Sequence, residues 1–296
     1  MPPAPPIRGR FAPTPSGPLH FGSLVAALAS YLDVRARNGE WLLRIDDLDQ
    51  NREVTGAREA ILEDLAALGF HWDGPVYAQH DRGQRYREAV DELLAKRLAF
   101  PCACTRKDIQ EQSDPGEPVA IYPGTCRNGL PSGKEARSIR LHVPDQVIGF
   151  EDEWVGPTHQ DMAREVGDFV IWRVEDIASY HVATVLDDAD AGITRIVRGA
   201  DLLDSTPRQI LLQRLLGLPT PAYAHFPVVH AEDGRKLGKQ TDAPRIDTSQ
   251  PAKILSMALA FLHQSPPVTL ASAPVEDVWQ WAFRNWAPQA IKSPLP

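Results

Sequence analysis

The stretch RFAPTPSGPLHFGS, residues 10 to 23, sets Pro13, Pro15, Pro18, Gly17, Gly22 and a lone His20 directly ahead of a long apolar run. Such a loop suits delivery of a strand end into a helix N-terminus, where free N–H groups and partial positive charge favour an anion. Gly17 and Gly22 would let a ligand approach the backbone, and His20 could donate to a phosphate oxygen. A plain strand-to-helix turn with an incidental histidine accounts for the same residues, so on residues alone both readings stay open. Far downstream, GRKLGKQ carries Lys236 and Lys239 around Gly238, just after an Asp-Gly turn. Two ammonium groups on a loop can neutralise charge as a phosphate leaving group departs. A solvated basic loop is the other reading. Cys102, Cys104 and Cys126, with Tyr122 among them, form a third group. Three soft thiolates suit Zn²⁺, which takes four ligands in a tetrahedron. Cys-x-Cys is not the usual spacing and a Tyr ligand is uncommon, so buried free cysteines or a redox pair remain as alternatives.

The elements that would hold these groups can be read from periodicity. GRFAP reads as a short strand, 19–37 as a helix with Pro18 near its first turn, and WLLRI as a buried strand. Strand, loop, helix and strand make a βαβ unit and imply a parallel pair. Helices are expected over 55–68 and 82–97, and a loop-rich insertion over 102–140. DFVIWR, SYHVATVLDD and ITRIVRG read as strand-like runs. TPRQILLQRLLG reads as a helix capped by Thr206, with Pro207 in first position and Gln209 completing a capping box. A Pro-rich gap precedes a last helix, VWQWAFRNW, whose tryptophans read as packing onto the core. The expected divisions are 1–101 and 141–245 for the two halves of the main domain, 102–140 for the insertion, and 246–296 for a short helical end.

The bulk numbers bound the class. The 296 residues are 43% hydrophobic and 24% charged, as expected of a globular protein with a sizeable core. No signal peptide or membrane span is legible, and three clustered cysteines argue for a reducing compartment, so a cytoplasmic protein is expected. The net charge of −8 argues against a chain that coats nucleic acid non-specifically; any RNA contact must be local. Arg106, Lys107, Arg127, Lys134, Arg137 and Arg140 around the insertion could contact phosphates or form a solvated rim.

In this order, PTPSGPLHFGS and KLGKQ resemble the signature pair of class I aminoacyl-tRNA synthetases. RFAPTPSGPLHFGS, RIDDLD and IVRGADLLDSTPRQ narrow the resemblance to the glutamyl-tRNA synthetase group, over residues 10 to 245. The resemblance implies an α/β, Rossmann-type catalytic domain with a parallel sheet. It implies that ATP, accompanied by Mg²⁺, binds Pro13, Ser16, Gly17, His20, Gly22, Ser23, Lys236 and Lys239, with His20, Lys236 and Lys239 as the catalytic set. It implies a glutamate pocket of Arg10, Phe11, Ala12, Pro13, Thr14, Asp46, Tyr180 and Arg198. That set fits a dicarboxylic amino acid: arginine forks suit carboxylates, Asp46 could hold the α-ammonium, and Tyr180 could hydrogen-bond. Taken singly, such a residue is more commonly a structural ion pair than a ligand. Which arginine takes which carboxylate is left unassigned. The family usually has Glu at the position of Asp46 and Ser at that of Gly238.

CACT and YPGTC are similar to the zinc-binding stretch of a short branch of this family, in which Cys102, Cys104, Tyr122 and Cys126 would be the ligands of a structural zinc. The residues beyond 245 are too few for an anticodon-reading domain, which points to the same branch. The resemblance then implies activation of L-glutamate by ATP without RNA, and transfer of glutamate to the queuosine base in the anticodon loop of tRNA(Asp), by a monomer. The rivals are a shortened enzyme that charges a tRNA 3′ end and a non-catalytic paralogue that binds ATP or zinc.

Overall fold

The computed structural model describes residues 6–112, 121–229 and 244–291. The chain opens with β1 (Arg8–Phe11), α1 (Phe21–Arg35) and β2 (Glu40–Ile45), and β1 pairs parallel to β2 in the register Arg8↔Glu40 to Phe11↔Leu43. The βαβ expectation holds, with α1 two residues shorter at each end than its apolar pattern. His20 caps its start, and Asn38 turns the chain out with φ 55°. Then follow α2 (Ala57–Ala67), β3 (Tyr77–Ala78), α3 (Gly83–Ala95), β4 (Ala99–Cys102), α4 (Arg106–Gln110), β5 (Ser138–Leu141), β6 (Val147–Asp152), β7 (Gly156–Asp161) and β8 (Val170–Trp172). The last third holds α5 (Tyr180–Asp190), β9 (Arg195–Gly199), α6 (Ser205–Leu216), β10 (Ala222–Phe226), α7 (Pro251–Phe261) and α8 (Val275–Asn285).

Two sheets, β1-β2-β3 and β7-β6-β10-β9, meet edge to edge. Thr194 N donates to Arg8 O at 2.9 Å, and Arg8 N donates to Thr194 Oγ1 at 3.0 Å. Within this surface β1, β2 and β3 run parallel, as do β9, β10 and β6. Helix α1 covers the seam and contacts β1, β2 and β9. Gly9 permits this approach, because a Cβ there would lie 2.4 Å from the Val34 side chain. An ion pair reinforces the seam: Arg195 Nη2 donates to Asp33 Oδ1 at 3.1 Å and to Glu153 Oε2 at 2.8 Å. The separate β4-β5-β8 sheet is antiparallel and carries the cysteine-bearing segment.

Two sequence expectations fail. SYHVATVLDD is helix, not strand. Its β-branched residues favour strand only weakly, whereas the Ser179 side chain accepts from Val182 N and caps a turn. Val182, Ala183, Val185 and Leu186 then bury one helical face. Likewise α6 starts earlier than the Thr206 cap implies. Asp204 takes the N-cap position, and Thr206 is fully buried inside the helix, its hydroxyl occupied by Arg198. The last helix packs as expected. Trp279 lies 5.2 Å from the Tyr31 ring of α1 and 4.9 Å from Phe70, and donates to Leu68 O at 2.9 Å. Among the described residues no helix is long and apolar enough to cross a membrane.

Candidate active site and metal centre

In open α/β sheets, ligands settle outside the C-terminal ends of strands, where neighbouring strands lead off in opposite directions. Here β1 leads through α1 to β2 on one side, and β9 leads through α6 to β10 on the other. A cavity of about 740 Å³ opens at that point. Arg10, Phe11, Ala12, Pro13, Thr14, Asp46, Tyr180 and Arg198 all line it, as do Ser16, His20, Gly22 and Ser23. Of the described candidates for ATP and glutamate, only Gly17 stays off the wall; its φ of 137° is one that glycine adopts readily. Lys236, Gly238 and Lys239 lie outside the described residues. The segment after them returns to the site: His20 bridges to Arg245, and Arg245 Nη2 donates to Asp64 Oδ1 of α2 at 2.6 Å.

His20 is the N-cap of α1. Its Nδ1 accepts from Ser23 N at 3.3 Å, and Nε2 lies 2.9 Å from Ser23 Oγ. The first turn of α1 carries no acidic residue, and His20, Gly22 and Ser23 at the positive end of the helix line the cavity.

Behind the wall lies a buried charge lattice. Arg10 Nε donates to Asp188 Oδ1 at 3.0 Å, and Arg44 Nη1 donates to the same oxygen at 2.7 Å. Arg44 Nε donates to Asp46 Oδ1 at 2.6 Å. Burial pushes the Asp46 carboxyl above its usual range, with Arg44 pulling against it. For Asp188 burial also pushes up, but Arg10 and Arg44 together outweigh it and hold the carboxyl low. Arg198 differs: it forms no ion pair among the described residues, and its buried Nη1 has no partner. A buried guanidinium without a carboxylate is a receptor for an anion.

Sequence reasoning missed Arg44 and Asp188 behind the wall, and on the wall Arg52, Val197, Gly199, Asp201, Phe226, Val228 and Val229. RIDDLD contains Arg44, and the strand-end position of β9 would have pointed to Gly199. Asp188 was hidden because its segment read as strand. Tyr180 stands at the first turn of α5, 39% exposed, not at a strand end.

The Sγ atoms of Cys102, Cys104 and Cys126 lie within 4.8 Å of one another, so the cluster can hold a metal ion. Cys104 and Cys126 sulfurs are 3.7 Å apart, and Tyr122 Oη lies 3.5 Å from Cys102 Sγ and 3.8 Å from Cys104 Sγ. A tetrahedron with Zn–S of about 2.3 Å has S···S edges of about 3.8 Å, so the donor set fits zinc. Burial pushes the Cys104 thiol up to about 11, whereas at Cys126 burial is outweighed by hydrogen bonds from the Ala103 backbone and Tyr122, which hold that thiol below its ordinary range. Arg140 Nε donates to Cys102 Sγ at 3.3 Å, and its guanidinium carbon sits 4.3 Å from the Tyr122 ring centre. Arg140 is therefore committed to the cluster and not to a solvated rim, and Arg127 is paired with Asp168 at 2.5 Å.

The family model for class I tRNA synthetases (E and Q), catalytic domain, matches residues 6–254. Glutamyl-Q tRNA(Asp) synthetase of Aromatoleum aromaticum is 50% identical over 297 residues, covering 99% of this chain and 94% of that protein. Glutamyl-Q tRNA(Asp) synthetase of Pseudomonas aeruginosa is 50% identical over 278 residues, covering 94% of this chain and 92% of that protein. Among solved structures, a glutamate tRNA ligase from Elizabethkingia meningosepticum in complex with its amino acid superposes with a TM-score of 0.79 at 25% identity. That match covers 97% of this chain and 66% of the ligase.

Proposed function

This chain belongs to the class I tRNA synthetases of the glutamate and glutamine group, and from that premise we propose that it activates L-glutamate with ATP and transfers the glutamyl group to the queuosine base of tRNA(Asp). The observation that carries the reading is the cavity at the β1/β9 seam. It combines arginines suited to a dicarboxylate with a helix N-terminus and His20 suited to phosphate.

In this mechanism the glutamate α-carboxylate attacks the α-phosphorus of ATP in line, glutamyl-adenylate forms and pyrophosphate leaves. The protein supplies positioning and charge stabilisation, not a covalent nucleophile. Arg10 and Arg198 hold the substrate carboxylates, Asp46 the ammonium, and Tyr180 a hydrogen bond. His20 and the first turn of α1 hold phosphates. Lys236 and Lys239 stabilise the departing pyrophosphate, and Mg²⁺ arrives with the nucleotide. A hydroxyl of the queuosine cyclopentenediol then attacks the mixed anhydride and AMP leaves. Cys102, Cys104, Tyr122 and Cys126 hold a zinc ion, whose bonds order the loop-rich segment around them.

The test is the location of label. The protein is incubated with radioactive glutamate, ATP and queuosine-containing tRNA(Asp), and the product is cut with RNase. The reading predicts label on the anticodon fragment and none when the tRNA carries guanosine in place of queuosine. Label on the 3′-terminal fragment would instead identify an enzyme that charges the acceptor end.

A further inference from the structure

Arg198 is held by a chain of hydrogen bonds that crosses three adjacent strands. Its register partner on β10 is His225, and Arg198 Nε donates to His225 Nε2 at 3.0 Å. Because Nε2 accepts, the ring proton sits on Nδ1, which lies 2.6 Å from Asp152 Oδ2 at the end of β6. Asp152 is fixed in turn. Its Oδ1 accepts from the backbone N–H groups of Trp154, Val155 and His225 at 3.1, 3.0 and 3.1 Å. On the far side, Arg198 Nη2 donates to Thr206 Oγ1 at 2.8 Å. His225 is 0% exposed and Asp152 1%. Neither lines the cavity, and neither is used by the chemistry described above.

We propose that Asp152 and His225 are positioning residues that fix the plane of the Arg198 guanidinium, so that Nη1 is presented to a carboxylate of the amino acid substrate. The inference rests on the reading of Arg198 as a glutamate ligand. Nε has its one hydrogen committed and Nη2 one of its two, which leaves Nη1 as the guanidinium nitrogen with no partner and the donor for a ligand. A histidine is suited to this place because a carboxylate directly on Arg198 would neutralise the charge that the substrate needs. Asp152 supplies the anion one residue further back, where it sets the tautomer without quenching Arg198. Burial, the largest influence, holds His225 below its ordinary range and keeps the ring neutral, consistent with an accepting Nε2.

Equilibrium affinities for L-glutamate and for ATP, measured on the full chain, test this. Arg198→Ala should weaken glutamate binding about a hundredfold and leave ATP binding unchanged. His225→Phe, which cannot accept from Arg198, should weaken glutamate binding about tenfold with ATP unchanged, and His225→Gln, whose amide oxygen can accept, should recover most of the loss. Asp152→Asn keeps the shape but offers a donor to Nδ1, which turns the tautomer against Arg198. It should resemble His225→Phe, and it carries the test should His225→Phe fail to fold. In an Arg198→Ala background neither change should weaken glutamate binding further. Equal losses with and without Arg198, or unchanged glutamate affinity in both His225→Phe and Asp152→Asn, would overturn the positioning role. If Arg198→Ala itself leaves glutamate affinity intact, the ligand reading of Arg198 fails instead, so the two failures are distinguishable.

Discussion

At Asp46 the carboxylate is committed before a ligand arrives, because Arg44 donates to it at 2.6 Å from a fully buried position. The side chain is one methylene shorter than the glutamate usual in the family, and Arg44 fixes what reach it has. Asp46→Asn should therefore weaken glutamate affinity at least tenfold while ATP affinity holds, since the proposed partner of the amino acid's ammonium loses its charge and Arg44 keeps Asp188. Arg44→Met should be worse for the fold than for the site. It strands Asp46 without its buried cation and leaves Asp188 with Arg10 alone, a loss of about 3–5 kcal/mol measurable by urea unfolding. Around Gly238, where the family usually has serine, the proposed phosphate role rests on Lys236 and Lys239. Lys239→Ala should slow glutamate activation about 100-fold or more, whereas Gly238→Ser should change it only slightly. Comparable effects from the two would contradict the phosphate role of Lys239. Of the residues facing the cavity, those of RFAPTPSGPLHFGS, with Asp46 and Arg198, were legible because they sit in contiguous motifs. Arg44, Asp152, Asp188 and His225 were not, because their work depends on partners brought together by the sheet.

Helix α5 shows why one element escaped the sequence reading. Val182, Thr184 and Val185 argue for strand by propensity, but the Ser179 cap and burial on helical spacing decide the outcome. The helix carries Asp187 and Asp188 into the charge lattice and Tyr180 to the cavity, so misreading it hid both aspartates. It also carries a pH liability. Burial, with Arg208 and Arg198 nearby, pushes His181 down to about 3. In the unfolded chain His181 titrates near about 6.5, so between those limits the unfolded state binds a proton that the folded state refuses. Stability is full above that range and falls as the pH drops through it. His181→Gln should flatten the decline in unfolding free energy between pH 6.5 and 4; an unchanged slope would contradict a buried neutral ring. The cysteine-bearing segment makes a separate element-scale prediction. Cys126→Ser should abolish stoichiometric zinc in the purified protein and expose 102–140 to protease, with the cavity's ATP affinity largely retained.

Across the whole molecule, catalysis is assigned to a seam. Two sheets joined at β1 and β9 leave a crevice that neither forms alone, and α1 spans both with its positive end over the opening. The parallel β1–β2 unit was legible from periodicity, whereas the junction with β9 was not, because Arg8 and Thr194 are nearly two hundred residues apart in the chain. The far end of α1 rests on α8 through Tyr31 and Trp279. Trp279→Ala should lower the unfolding free energy by about 3–5 kcal/mol by emptying that contact. The measurement that tests the account most directly is glutamate-dependent exchange of pyrophosphate into ATP, with zinc present and no RNA added. The account predicts exchange under those conditions, lost in Arg198→Ala. No exchange without RNA would contradict it, and exchange that appears only when tRNA is supplied would favour an enzyme that charges the acceptor end.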